Sequence, residues 1–272
     1  MKNSIEKLID QYAKYNLSEV INYDKFNNYA IVHHSSTIEG STLTEIETQL
    51  LLDEDMTPKG KPLEHSLMTK DHYAALQFIS QEANNKRSVT PQFMQEINAH
   101  VMKSTGAVYN TVFGAIDASK GMFRKGNVSA GGSYFVNYDK VEGLVKELAE
   151  RLNVRLSESK SRIEKLEVSF MAHFNLVTIH PFYDGNGRTS RLLMNYIQKV
   201  SDLPLSIVFK EDKADYFNAL QQTRKDDDIT VFKNFMYAQY KKYLTIEIKK
   251  YQEILPDKNR NSDQGKGYSF MF

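Results

Sequence analysis

Hydrophobic positions recur at helical spacing along most of the chain. Across residues 139–152, Val141, Leu144, Val145, Leu148 and Leu152 share one face of an α-helical repeat. Asp139 and Glu142 stand at capping-box spacing just ahead of that face. Thr90 and Pro91 read as an N-cap and a first helical residue, leading into the stripe Phe93, Met94, Ile97 and Val101. Thr44 and Glu47 repeat the capping-box pattern before Leu50 and Leu51, and Leu166, Phe170, Phe174 and Val177 line a buried face over residues 163–179. Further helices are predicted over residues 64–84, 187–200, 212–224 and 230–250.

One stretch departs from this periodicity. N-V-S-A-G-G-S-Y-F-V, residues 127–136, has short alternating runs on either side of Gly131 and Gly132, the pattern of a two-residue hairpin; an ordinary connecting loop fits the same residues. Two strands alone are marginal in water, so the hairpin is expected to lie against a helical body. From Pro256 the chain turns polar and then ends in Tyr268, Phe270 and Phe272; the polar part reads as loosely ordered and the apolar end as docked. The expected organisation is N-terminal helices over residues 1–88, a helical core over 89–250 and a tail over 251–272.

Composition narrows the possibilities. The 272 residues suffice to bury a core, with 41% hydrophobic and 25% charged residues, the balance of a globular protein. No apolar run approaches the ~18–20 residues that cross a bilayer, and Glu6 and Asp10 interrupt the apolar core that an N-terminal signal peptide needs. Cysteine is absent, which excludes disulfides and thiol chemistry and favours a cytoplasmic location. Thirty-five basic and 34 acidic residues leave a net charge of +1, so neither nucleic acid nor a membrane is the expected partner.

The chemistry concentrates in H-P-F-Y-D-G-N-G-R-T-S-R, residues 180–191. Pro181 ends the helix that runs into His180. Asp184, Gly185, Asn186 and Gly187 can form a tight turn whose glycines let backbone amides converge on a small anion. A new helix starts near Asn186, a residue suited to N-capping, and its positive end favours a phosphate. Arg188 and Arg191 project from that helix as further phosphate holders. Asp184 offers a hard oxygen to Mg²⁺, and His180 offers a proton acceptor titrating near neutrality. An ordinary turn with a solvated arginine face accounts for each feature singly, but not for all of them in this order.

The string resembles the motif of the Fic family, H-P-F-x-[D/E]-G-N-G-R-x-x-R, at every defined position from His180 to Arg191. The resemblance extends over about residues 20–245, in the order of helices and hairpin. It implies an all-α, single Fic-type helical domain with one β-hairpin flap. It further implies transfer of AMP from ATP, with Mg²⁺, to a Ser, Thr or Tyr hydroxyl of a protein target, and raises self-modification and homo-oligomerisation as possibilities. By the same resemblance His180 is the general base, Asp184 the metal ligand, and Phe182 an inward anchor of the loop. Asn186 and the amides of Gly185 and Gly187 hold the α-phosphate, Arg188 the β-phosphate side and Arg191 the γ-phosphate. The flap comprises Val128, Ser129, Ala130, Gly131, Gly132, Ser133, Tyr134 and Phe135, which would clamp an extended segment of the target by strand addition.

S-S-T-I-E-G, residues 35–40, resembles the family's inhibitory motif [S/T]-x-x-x-E-[G/N], placing Ser35, Glu39 and Gly40 in an N-terminal inhibitory helix. Gly40 reads as a C′ residue, so Glu39 sets a carboxylate at the negative end of a helix, at a cost of roughly 0.3–1 kcal/mol. A residue that breaks a local rule points to a tertiary reason; the resemblance supplies an ion pair from Glu39 to Arg191. Two other activities fit the same residues: hydrolytic removal of AMP, and nucleotide binding without catalysis, against which the intact His180 speaks. His33 and His34 lack a suitably spaced third metal ligand. Phe232, Phe235, Tyr237, Tyr240 and Tyr243 read as core, with Tyr216 and Tyr237 as loose candidates for flanking an adenine.

Overall fold

The computed structural model describes residues 2–15, 22–112, 114–130 and 133–261. Gly131, Gly132 and the terminal aromatics lie outside the described residues. Among the described residues, ten α-helices and two short hairpins follow in the order α1 (Lys2–Lys14), α2 (Tyr23–Ile38), α3 (Glu45–Glu54), α4 (Leu63–Asn84), α5 (Pro91–Val101), β1 (Val108–Thr111), β2 (Gly114–Asp117), β3 (Ser129–Ala130), β4 (Ser133–Tyr134), α6 (Val141–Glu158), α7 (Arg162–Ile179), α8 (Asn186–Val200), α9 (Lys213–Asp226) and α10 (Ile229–Asn261). Among the described residues no helix is long and apolar enough to cross a membrane.

Local chemistry sets most of the boundaries. Thr44 and Glu47 close the expected capping box on α3 in both directions, and Thr90 accepts from the Phe93 amide at the start of α5. A further box, Ser161 with Glu164, starts α7 and was not anticipated. The Asp139–Glu142 box does not form: a 3₁₀ turn over Tyr138–Lys140 leads directly into α6, whose start has no side-chain cap. That turn satisfies the Lys140 amide with the Asn137 carbonyl, a backbone alternative to side-chain capping. Gly40, at φ 106°, ends α2 in a Schellman arrangement, with Gly40 N–H donating to the Thr37 carbonyl and Ser41 N–H to that of Ser36. α10 continues past Pro256 to Asn261, so the first part of the stretch expected to be loosely ordered is helical.

α8 is the central helix, packed by α7, α4 and α5. Twelve of its fifteen residues are buried, including polar ones. Leu192, Leu193 and Ile197 join Phe93, Ile97, Leu76, Leu166, Phe170 and Leu176 in one core. Burying each such side chain stabilises by ~1.5–3 kcal/mol. The polar residues are bonded, as burial demands: Gln198 donates to Ser169 and Ser206, and Asn195 to the Ser206 carbonyl. The helix carrying Arg188 and Arg191 is therefore held on three sides.

Both hairpins are antiparallel. The predicted one pairs Ser129 with Tyr134 and Ala130 with Ser133. A second, β1 with β2, was not anticipated, because Val108, Tyr109 and Asn110 carry no turn signal before Gly114, at φ 100°. Tyr109 of β1 stacks on Tyr183 at 4.5 Å, so this hairpin rests beside the motif loop.

Histidines are unusually deep in this core. His72 and His173 are completely buried, and burial, with Arg191 beside both, holds their pKa well below 6.5. Burial likewise pushes His33 down to about 4. Such groups stay neutral when folded but take up protons when unfolded, once the pH drops below the ordinary histidine value of 6.5. Their contribution to stability is thus present above pH 6.5 and lost progressively as pH falls towards about 4. Thermal unfolding scans should show the midpoint falling across that window. A midpoint unchanged down to its lower edge would mean that the imidazoles gain partners on protonation.

Candidate active site

α7 ends at Ile179 and His180 takes the C-cap in the left-handed region, φ 52° and ψ 59°. This conformation is disfavoured for a residue with a Cβ by roughly 1–2 kcal/mol, and it turns the chain sharply into Pro181. Phe182 is buried against Phe123, with ring centroids 5.5 Å apart, which anchors the loop as expected. Asn98 of α5 holds the far side of the turn, donating to the Asp184 carbonyl at 3.0 Å and to Thr189 Oγ1 at 3.1 Å. Gly185 has φ 76°, and a Cβ there would meet Met102 Sδ at 2.7 Å and Asn98 Nδ2 at 2.8 Å. Glycine is required at that position on both counts.

Asn186 departs from its expected places. It is the first residue of α8 and Gly185 is the N-cap, without a side-chain bond. The Asn186 side chain instead accepts from the Phe182 amide and donates to the Phe182 carbonyl, both at 2.9 Å. Its side-chain amide is thereby spent on closing the loop. The Gly185 N–H is engaged at 2.5 Å by Asp184 Oδ1. The amides of the first turn of α8, at Asn186, Gly187 and Arg188, have no intrahelical acceptor and form the positive end of the helix.

The two arginines differ in what they hold. Arg188 is buried, donating only to the Val101 carbonyl at 3.3 Å and to Met102 Sδ at 3.2 Å, with Asp184 Oδ1 at 3.9 Å. Its Nε has no partner among the described residues, and burial lowers its pKa. Arg191 makes four bonds with its five N–H groups. It donates to Glu39 Oε1 at 2.6 Å, Ser35 Oγ at 2.8 Å, the Ser35 carbonyl at 3.1 Å and Tyr216 Oη at 3.4 Å. Arg191 is 4% exposed and Glu39 29% exposed, so the carboxylate reaches the surface while its cation lies inside. Burial alone would raise the Glu39 carboxyl, but Arg191 outweighs it and holds the group below its usual range. A Cβ at Gly187 would collide with the same carboxylate. Glu39 thus occupies space directly over the N-terminus of α8.

Burial, aided by the Arg124 and Arg224 guanidiniums, pushes His180 down to about 4. Phe135 of the hairpin stacks on its ring at 3.9 Å and 14°, and the Arg224 guanidinium lies 5.7 Å from the Phe135 centroid. The hairpin's place over the motif is as expected. Tyr134 points outwards, 91% exposed; Val128 accepts the Phe135 amide, and Ser129, Ala130 and Ser133 contribute the short ladder.

Asp184 is the carboxylate of the loop, with a side chain 57% exposed. One carboxylate beside the N-terminus of a helix fits Mg²⁺, which is commonly held by one or two carboxylates together with substrate phosphates. Tyr216 and Tyr237 do not flank an open nucleotide face. Tyr216 is buried between Arg191 and His173 Nε2, the latter at 3.0 Å, while Tyr237 donates to Glu167 at 2.6 Å. His173, Asn98 and Arg124 carry no signal in the sequence, where each reads locally as an ordinary helix or loop residue; Tyr216 was a candidate there only as an adenine neighbour, not as a partner of Arg191.

The sequence model of the Fic/DOC family matches residues 88–198. The chain is 30% identical over 197 residues to a protein named protein adenylyltransferase Fic from Drosophila willistoni, and equally so to that of Drosophila melanogaster. The match covers 72% of this chain and 37% of those relatives, so the chain spans little more than a third of their length. Its fold is similar to the crystal structure of a Fic domain containing signaling protein from Bacteroides thetaiotaomicron. There the TM-score is 0.79 at 24% identity, over 92% of this chain and 98% of the other. Fic-1 from C. elegans gives a TM-score of 0.71 at 22% identity, over 94% of this chain and 73% of the other. With the motif complete, its loop formed and the family model matching across it, the chain belongs to the Fic/DOC family.

Proposed function

We propose that this chain transfers AMP from ATP to a hydroxyl of a protein, and that Glu39 holds the transfer off. The observation carrying this reading is the convergence of a half-buried neutral imidazole, a helix N-terminus without a side-chain cap and two buried guanidiniums on one loop. Relatives that match 72% of the chain bear the name protein adenylyltransferase, which supports the same chemistry.

His180 takes the proton of the target hydroxyl, whose oxygen bonds to the α-phosphorus as the bond to pyrophosphate breaks. The amides of Gly187 and Arg188 and the dipole of α8 hold the charge developing on the α-phosphate. Arg188, with an unpartnered Nε, takes the β-phosphate side. Arg191 takes the γ-phosphate once released from Glu39. Asp184, with nucleotide oxygens, would hold Mg²⁺, which neutralises charge on the departing phosphates. The edges of the two-stranded β3–β4 hairpin offer backbone groups to an extended target segment. A second reading, hydrolytic removal of AMP, draws on the second Glu39 oxygen, since Arg191 engages only Oε1.

Incubation of the Glu39→Gly protein with cell lysate and ATP labelled at either the α- or the γ-phosphate tests the reading. Label in protein from the α-phosphate alone is expected; label from the γ-phosphate would indicate phosphoryl transfer and overturn it. Release of AMP from already modified protein by the wild type would establish the reverse direction. Asp184→Ala should remove most of the Mg²⁺ dependence of ATP binding in calorimetry, lowering affinity by about tenfold with metal and little without it. Equal metal dependence in both proteins would take Asp184 out of the metal site.

A further inference from the structure

Arg124 lies between the second hairpin and the flap, almost completely buried, and forms no salt bridge among the described residues. A guanidinium without a counter-ion is tolerated in the interior only when its donors are taken up. Here three of its five N–H groups, one on each nitrogen, are taken up by carbonyls from two places. Nε donates to the His180 carbonyl at 2.8 Å, one terminal nitrogen to the Gly126 carbonyl at 2.9 Å, and the other to the Val136 carbonyl at 2.6 Å. The Arg124 amide adds a bond to the Pro181 carbonyl at 2.9 Å. Gly126 and Val136 are the two ends of the flap, so one planar fork closes its neck and joins that neck to the residue expected to act as base.

The surroundings fix Arg124 itself. Gly121, at φ 63°, brings the chain so close to α5 that a Cβ would run into the Gln95 carbonyl, and Phe123 packs on Phe182. His180 sits in a left-handed backbone conformation that persists only where neighbours over-determine it. The bond from Arg124 to its carbonyl is one such determinant, and Phe135, one residue before the clamped Val136, covers the imidazole.

We propose that Arg124 is a positioning residue that aligns the flap and the His180 imidazole as a single unit, so that a target segment held by the flap presents its hydroxyl to the base. This rests on the reading of His180 as the base. Lysine keeps the charge but lacks the planar fork that reaches both sides, and methionine keeps the length without charge.

In the Glu39→Gly background, Arg124→Lys and Arg124→Met should leave the KM for ATP within about twofold while kcat falls on the order of 10²-fold, the scale of a small misplacement of a reacting group. A purely structural role would instead lower thermal stability and ATP affinity together, or leave kcat intact in the folded variant; kcat within about threefold of the parent overturns the proposal. Hydrogen exchange decides the coupling without turnover. In Arg124→Lys, amides of residues 127–136 and 180–185 should exchange faster together, and loosening of one segment alone contradicts the clamp. If the Glu39→Gly parent transfers nothing, the functional reading fails, yet exchange still judges Arg124. Should both variants fail to fold, the Arg124 Nε–H of the unsubstituted protein, followed by nitrogen NMR, should exchange as slowly as the flap amides; rapid exchange would refute the clamp.

Discussion

Replacing Glu39 with glycine should convert a protein that transfers little or nothing into one that transfers AMP readily, a gain of at least about 10²-fold. The Glu39 carboxylate holds the Arg191 guanidinium at 2.6 Å and stands where even a Cβ on Gly187 would collide with it. On the proposed reading, an ATP bound in its presence would have its γ-phosphate displaced from Arg191 and its α-phosphate turned away from His180. Orientation rather than affinity is then the barrier, and correct positioning can be worth several kcal/mol. Glu39→Gly leaves Arg191 with Ser35 and Tyr216 alone. The cost in stability should fall between the ~1 kcal/mol of an exposed pair and the ~3–5 kcal/mol of a fully buried one, because the carboxylate is 29% exposed. ATP should restore part of it by binding the folded state. Arg191→Ala in the same background should return transfer towards zero. Equal rates in wild type and Glu39→Gly would reduce residues 35–40 to an ordinary helix end.

His180→Ala in the Glu39→Gly protein should lose transfer by ~10²–10⁴-fold while binding ATP with nearly unchanged affinity, since a general base acts on the hydroxyl and not on the phosphate anchors. The pH dependence gives a second signature. The imidazole accepts a proton only when neutral, and burial holds its pKa down to about 4, with Arg124 and Arg224 lowering it and Glu39 raising it. Removing Glu39 lowers it further. The acid limb of transfer should therefore lie well below the ordinary histidine value of 6.5, with rates falling only towards pH 4. A limb centred near 6.5 would mean that the flap leaves the imidazole solvated during turnover. Wild-type rates in His180→Ala would make the residue structural.

The sequence was legible where local rules dominate. Thr44, Thr90 and Gly40 named helix ends because their caps use neighbouring amides, and residues 180–191 named the loop because its chemistry is contiguous. The oddity of Glu39 at a helix C-terminus pointed to a tertiary partner, and the structure places Arg191 there. What the sequence hid is non-local. Asn186 looked like an N-cap because its type suits one; its bonds to Phe182 depend on how the loop folds back. Tyr216 looked available to a base ring until α9 set it between Arg191 and His173. Arg124 sits in a stretch without periodicity, and only folding brings the His180, Gly126 and Val136 carbonyls around it. The β1–β2 hairpin escaped because its strands are four residues each, without a turn dipeptide.

The central claim is that the loop over residues 180–191 transfers a nucleotidyl group under the control of Glu39. Intact-mass spectrometry of proteins incubated with ATP, Mg²⁺ and cell lysate measures this most directly, comparing wild type, Glu39→Gly and Glu39→Gly with Arg191→Ala. Protein gaining the mass of one adenylyl group with Glu39→Gly, little with wild type and little with the double variant is the expected result. Gains of a phosphate mass, or the same adenylyl gain in all three, would contradict it.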